Sequence, residues 1–341
     1  MSRRSARPSA SASVRRAAKS CRRTSAPTSA SATGACGWKW TPRISTSNSP
    51  PLPDAKFILT VRECVSWVDS EINHFLGRPY PPQAGLTHAR LRALAEAAGD
   101  ILSFIDDDNW VCPDWVQKVA DFMATYPEVG ALGSYNYPVS DKAFPEWFPQ
   151  SRHYFAVAGD DVVEGDITET GRMLVGAGFS LRKTAARGLL ANGFRFSLSG
   201  RSGRAMSSGE DQELCLALQL TGWRLWFTRE ISLQHFLPEG RLSMRYVRGL
   251  LRGIGRSSVM LDPYLFLLEQ RRGLAVKPHQ AHWLWRALAS LKDFVIHRFR
   301  GRMIQSERAL GRLEMLCRLR GEYHERFAAL ARVPWLRIRS E

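Results

Sequence analysis

Apolar and polar positions fall into regular periods from residue 56 onward, and before it they show no period. FILTV (57–61), behind the linker-like SPPLP, is a short apolar run that predicts a strand. HARLRALAEAAG (88–99) carries leucines and alanines at helical spacing and stops at Gly99, a residue suited to the C′ position. ILSFI (101–105) predicts a buried strand. Pro113 opens a helix through Tyr126 with Trp115, Val119 and Phe122 on one face. VGALGSY (129–135) is a further strand, a helix from Glu210 to Leu220 stops at Gly222, and Trp223 to Phe227 is again strand-like. Helices and strands alternating at such short spacing predict an α/β domain, a mostly parallel sheet flanked by helices. Beyond residue 241 the pattern is helical, over 242–257, 282–300 and 307–327, with no internal repeat.

Composition divides the chain into three. At 341 residues and 44% hydrophobic, there is ample material for a core, but almost none of it lies in residues 1–55. That stretch is Ser, Arg, Ala, Thr and Pro in near-random mixture, with ten basic residues and one acid, and is expected to be disordered. An organellar transit peptide shares this composition. Residues 56–240 carry a net −6 and are expected to form the globular α/β body; residues 241–341 carry a net +13 as a basic helical extension. The overall +16 therefore belongs to the two ends, which suits them to an anionic surface. On 282–300, Leu284, Leu288, Leu291 and Val295 share one side with Arg and Lys nearby. That is the pattern of a helix lying on anionic lipid, or of an ordinary packing helix with solvated arginines. No apolar run reaches about 18 residues, so no transmembrane helix is expected. Six scattered cysteines without a CxxC pair argue against a disulfide scaffold or zinc ribbon and for a reducing compartment. The expected location is cytoplasmic, peripheral on the inner face of the cell membrane.

Three clusters carry candidate chemistry. Asp106-Asp107-Asp108 directly follows the apolar run, at the strand end where α/β sheets collect ligands. Adjacent carboxylates repel, and a hard divalent cation, Mg2+ or Mn2+, relieves that while sharing phosphate oxygens. The alternative is an acidic turn with Asp108 or Asn109 capping the next helix. In SSGEDQEL (207–214), Glu210 and Asp211 fall in a first helical turn, either as a general base held at a helix N-terminus or as part of a Ser207 or Ser208 capping box. In LVGAGFSLRK (174–183), Gly176, Ala177 and Gly178 permit close backbone approach to a ligand, with Arg182 and Lys183 offsetting phosphate charge; the glycines equally suit a strand bend. His235, in LQHFLPEGR, follows the last predicted strand and is by itself more often a structural histidine. The aromatics of PEWFP and GWRLWF are core first, though an aromatic can floor a sugar site.

Taken in order, AGLTHARLRALAEAAGDILSFIDDDNWVCPDWV, VGAGFSLRKTA, SGEDQELCLALQLTGWRLWF and the histidine segment resemble the family 2 inverting glycosyltransferases of the GT-A fold, over roughly residues 84–260. The resemblance implies that Asp106 and Asp108 are the outer carboxylates of a DXD motif holding the cation, with Asp107 between them on the nucleotide. It implies that Arg90 contacts the nucleotide and that loop 176–178 lines the donor and acceptor cleft. Asp211 is then the catalytic base with Glu210 as its positioning carboxylate, and His235 approaches the metal or diphosphate. The implied partners are a nucleotide-sugar donor, a UDP-sugar first, and a glycan or lipid-linked acceptor, with no specific nucleic acid.

Two departures stand beside it. The family opens with a strand ending in a Pro-Thr-Tyr-Asn-like turn and a second strand ending in an aspartate, and neither is visible in residues 1–83; Leu91 stands where Asn often follows the matched arginine. The N-terminal stretch therefore reads as out-of-frame translation or a wrong start, rejoining the true frame before Ala84. On that reading half the nucleotide site is missing, and the chain is a catalytically impaired glycosyltransferase remnant acting as a binding protein. A basic nucleic-acid-binding protein is the remaining alternative, which the acidic centre disfavours.

Overall fold

The computed structural model describes residues 86–157, 163–200, 208–275 and 277–337. The strand expected at 57–61 and the expectations for residues 1–55 lie outside the described residues. Four short stretches set the sheet around the acidic turn. Helix α1 (Leu86–Glu96) leads into β1 (Ile101–Phe104), the turn 105–108 and β2 (Asn109–Val111), then α2 (Trp115–Thr125) and the long β3 (Val129–Val139). After a helical turn, Phe148–Ser151, come β4 (Gly165–Asp166), β5 (Phe179–Arg182), α3 (Lys183–Ala191), α4 (Glu210–Leu220) and β6 (Arg224–Phe236).

The sheet order is β1-β5-β3-β6-β2, with β4 on β6. Among the described residues only β3 and β6 run parallel; the β1–β5, β3–β5, β2–β6 and β4–β6 pairings are antiparallel. The α/β class with flanking helices holds, while the largely parallel pairing is confined to the sheet centre. The reason is β5, which enters from the glycine loop and runs back between β1 and β3. Register is fixed by Phe104 opposite Phe179 and by Ser103 opposite Ser180, whose buried hydroxyls satisfy each other at 2.7 Å.

Alternation along β3, interrupted by an irregularity between Val129 and Ala131, feeds two cores. Ala131 and Tyr135 join Phe179, Leu181 and the α3 and α4 side chains, while Val129 and Leu132 pack on Trp115, Val119 and Met123 of α2. Helix α4 is buried on nearly every side, so it shows no amphipathic stripe. Arg182 does not face a ligand. Its guanidinium donates to the carbonyls of Met123 (2.7 Å), Tyr126 (3.0 Å) and Val129 (2.9 Å) at the end of α2, a cation on a helix C-terminus. Lys183 is buried and donates to the carbonyl of Ala97. Both are spent on backbone, which corrects their expected place at phosphate.

The helical extension is α5 (Met244–Arg271), α6 (Trp283–Phe299), α7 (Met303–Leu319) and α8 (Glu322–Arg332). Helices α5 and α7 touch backbone to backbone: a Cβ on Gly255 would meet the Arg308 carbonyl, and one on Gly311 the Arg252 carbonyl. Buried Asp262 of α5 ties the rest together. It accepts from Arg312 (2.8 Å) and the Tyr323 hydroxyl (2.9 Å), and pairs with Arg286 of α6 at 3.4 Å. No helix among the described residues is long and apolar enough to cross a membrane.

Candidate active site

Two groups of side chains meet where β1 ends. In the first, Arg90 reaches from α1 to Glu210 at the start of α4, 3.2 Å away, with both side chains about 5% exposed. The guanidinium also lies 5.3 Å above the Phe104 ring. Gly176 closes the group from the loop before β5: a Cβ there would collide with Arg90 Nη2 and stand 3.2 Å from Asp211 Oδ2. Asp211 is half-buried, and its carboxylate accepts from the amides of Gln212 and Gly176. Burial first, and the Glu210 charge second, push its carboxyl up to about 6, against the opposing pull of Arg90.

Ser208 does not cap α4. The N-cap is Gly209 at φ +106°, a conformation open to glycine, and it has no side-chain hydrogen bond. Ser208 instead donates its amide to the Ser257 hydroxyl, and Ser207 lies outside the described residues. The first-turn carboxylates are thus held by Arg90 and the glycine loop rather than by a capping box. Similarly, α2 begins at Trp115, so the Asp106–Asp108 turn caps no helix.

The second group surrounds Asp108. Its Oδ2 accepts from Arg241 Nη1 at 2.7 Å and lies 3.6 Å from His235 Nε2. Burial alone would raise this carboxyl, but the His235 hydrogen bond and the charges of His235 and Arg241 outweigh it and hold it near 2. His235 does not follow a strand: it lies inside β6, opposite Asn109 of β2 and Pro138 of β3. Between the two groups, the Phe104 carbonyl accepts the Gly178 amide at 3.0 Å, which locks the glycine loop to the acidic turn.

Beside the glycine loop opens a cavity of about 550 Å3, with Ser134, Asn136, Arg152, Arg172 and Val175 among its walls. Val175, on its wall, adjoins Gly176 in the chain.

Residues 80–186 match the family model described as "Glycosyl transferase family 2". Over these residues the chain is similar to glycosyl transferase family 2. The chain is 26% identical over 158 residues to the glucosyl-dolichyl phosphate glucuronosyltransferase of Haloferax volcanii, which covers 46% of this chain and 49% of the relative. It is 27% identical over 174 residues to the succinoglycan biosynthesis protein ExoM of Rhizobium meliloti, 49% of each chain. The chain thus spans about half the length of the curated relatives it matches. Among solved structures, S. aureus TarS 1–349 in complex with UDP is similar at 14% identity and a TM-score of 0.36, covering 74% of this chain and 80% of that one.

Set against the family's motifs, the structure gathers Arg90, Gly176, Glu210 and Asp211 at one point, and Asp108 with His235 at another. Asp106 is not added to the second. Asn109 donates its amide to the Asp106 carbonyl at 3.1 Å, closing the turn between them. Among the described residues no group of three or more His, Cys, Asp or Glu could hold a metal ion. Asp108 Oδ1 and His235 Nδ1 are buried without a hydrogen bond, while the facing Asp108 Oδ2 is taken by Arg241. Arg241 supplies the positive charge at that point. Asp107 is exposed. Ala177 and Gly178 are both buried. The Ala177 carbonyl accepts from Asn136 at 3.0 Å, and the absent side chain of Gly178 leaves room for Ser134, Leu233 and Trp115.

Sequence reasoning missed Arg241 and Asn136. Arg241, six residues beyond His235 in the short helical turn Glu239–Leu242, had only that proximity to mark it. Asn136 is fully buried and lines the cavity, donating to the Ala156 and Ala177 carbonyls. A lone amide late in an apolar strand was its signal.

Proposed function

We propose that the chain is an inverting glycosyltransferase that moves a sugar from a nucleotide-sugar donor, a UDP-sugar, to an acceptor hydroxyl, with Asp211 as general base. The observation that carries this is the setting of Asp211. Its carboxylate is ionised at neutral pH, yet burial beside Glu210 makes it more basic than a surface aspartate. Asp211 takes the acceptor's hydroxyl proton as that oxygen bonds to the anomeric carbon. The bond from that carbon to the diphosphate breaks on the opposite face, and the diphosphate leaves with the electron pair. One displacement inverts the centre, so no enzyme nucleophile is needed. Glu210 holds Arg90 in place, and Arg90 borders both the base and the nucleotide. Asp108 and His235 would hold Mg2+ or Mn2+, which supplies positive charge for the leaving diphosphate.

The cavity beside Gly176 is the proposed entry for the acceptor, a glycan or a lipid-linked sugar. The names of the two curated relatives support this reading, one naming a glucosyl-dolichyl phosphate and the other succinoglycan biosynthesis. The family match gives no support to a nucleic-acid-binding role.

The test is release of nucleoside diphosphate from a panel of sugar nucleotides offered with glycan and lipid-linked acceptors. Asp211→Asn should reduce turnover by about 10²–10⁴ with donor binding retained. Wild-type turnover that survives this substitution would sink the assignment.

A further inference from the structure

Helix α6 wears its hydrophobicity on the wrong side for a helix in water. Toward the protein it presents Ala287 and Ser290, each 5% exposed, together with Arg286 on Asp262. Outward it presents Leu284 (45% exposed), Leu288 (50%), Leu291 (43%), Val295 (40%) and Phe299 (87%), with Trp285 (59%) at the margin. At 3.6 residues per turn these six fall within an arc of about 120°. Their combined exposed area is on the order of 500 Å2, at the upper end of what a soluble monomer shows in one patch.

The charges around the stripe have one sign. Lys292 lies within the arc, Arg298 flanks it, and Arg300 and Arg302 follow at the C-terminal end, all exposed. The helix's only acid, Asp293, stands on the opposite side of the arc. A second copy docked through the same face about a two-fold axis would set these cations against one another. An anionic partner with an apolar interior meets both the stripe and the cations.

We propose that α6 is a docking face for an anionic lipid bilayer. The helix lies in the plane of the surface, with Leu284, Leu288, Leu291, Val295 and Phe299 at the acyl boundary and Lys292, Arg298, Arg300 and Arg302 among the headgroup phosphates. The net +13 of residues 241–341 adds longer-range attraction to the same surface. The inference rests on α6 alone and is independent of the catalytic assignment.

The test is co-sedimentation of the full chain with vesicles of phosphatidylcholine alone and of phosphatidylcholine with a quarter phosphatidylglycerol. Binding should favour the anionic vesicles by about tenfold or more and weaken as salt is raised. Leu288→Asp with Leu291→Asp should abolish it. Lys292→Glu with Arg298→Glu should remove the preference for anionic lipid, and all variants should keep the wild-type circular dichroism, because the substituted side chains are exposed. Brominated lipid should quench tryptophan emission in the wild type and less in Trp285→Phe. The proposal is overturned if the folded wild type shows no anionic preference, or if the aspartate pair binds vesicles as the wild type does. It is equally overturned if the wild type is a dimer that Leu288→Asp makes monomeric without any vesicle binding, which would assign the face to a second copy.

Discussion

Replacing Glu210 by glutamine removes one charge from a pair that is almost wholly buried. Arg90 and Glu210 lie 3.2 Å apart, and about one-twentieth of each side chain reaches solvent. At that distance and an effective dielectric near 20, two unit charges attract by about 5 kcal/mol, part of which offsets their desolvation. Removing one partner of such a pair leaves the other charge buried and unmatched, at a cost of about 3–5 kcal/mol. Asp211 retains some counter-charge for Arg90, so about 3 kcal/mol is expected, a large share of a domain's total stability. Urea unfolding followed by circular dichroism reads this directly, with the midpoint lowered and the m-value unchanged. The double variant Arg90→Met, Glu210→Leu should lose much less than the sum of its singles, a coupling of about 2 kcal/mol or more. A Glu210→Gln loss below about 1 kcal/mol, with additive singles, would refute the idea that this pair holds the site together. The same variant carries a second readout. It removes a charge that raises the Asp211 carboxyl and keeps the arginine that lowers it. The acid limb of the pH–rate profile should therefore move to lower pH.

The remaining predictions concern the base, the loop and the framework. Wild-type turnover should fall as pH drops through about 6, where Asp211 takes up its proton; a limb unchanged in position in Glu210→Gln would point to another group. An ordinary aspartate titrates near 3.8, so between there and about 6 the folded chain binds the extra proton and loses stability as pH rises. Asp211→Asn should then be more stable than the wild type at pH 7.5, by about 1–3 kcal/mol, while losing turnover; a destabilised variant would contradict the strain assigned to this carboxylate. Gly176→Ala places a methyl against Arg90 and should lower turnover by about tenfold or more with circular dichroism unchanged, and full activity would mean that the loop does not border the site. Glu213, fully buried, accepts from the Ser197 hydroxyl at 2.6 Å, the Leu198 amide at 3.1 Å and the Tyr264 hydroxyl at 2.9 Å. Glu213→Leu strands those donors and should cost about 2–4 kcal/mol in urea unfolding, whereas a loss under about 1 kcal/mol would contradict the clasp.

The chemistry of the site was legible where a polar group interrupts an apolar run. Asp106–Asp108 after ILSFI and Glu210-Asp211 before a buried helix stand out because burying carboxylates is costly without a purpose. The partners that give them meaning were not legible. Arg90 meets Glu210 and Arg241 meets Asp108 across more than a hundred residues, and local pattern holds no record of such distances. His235 was misplaced for a related reason. Thr228-Arg229-Glu230 breaks the apolar alternation of β6, and the β3–β6 ladder shifts register between Gly133 and Tyr135, so the strand reads as ending at Phe227 although it continues to Phe236. Sheet direction was inferred from helix and strand alternation, a rule that β5 breaks by returning antiparallel beside β1. Arg182 and Lys183 looked like phosphate ligands because sequence cannot show that helix α2 and the Ala97 carbonyl claim them first. In α6 the spacing of Leu284, Leu288, Leu291 and Val295 was plain, but only the fold shows that this side faces out.

The central claim is tested most directly by calorimetric titration of UDP, GDP and dTDP into the protein, each with and without Mn2+, in the wild type, Asp108→Asn and Asp211→Asn. The account predicts metal-dependent, one-to-one binding of UDP that is lost in Asp108→Asn and retained in Asp211→Asn, because Asp108 would hold the cation that pairs with the diphosphate and Asp211 acts only in transfer. A folded wild type that binds none of the three nucleotides, or an Asp108→Asn variant that binds as the wild type does, would contradict it.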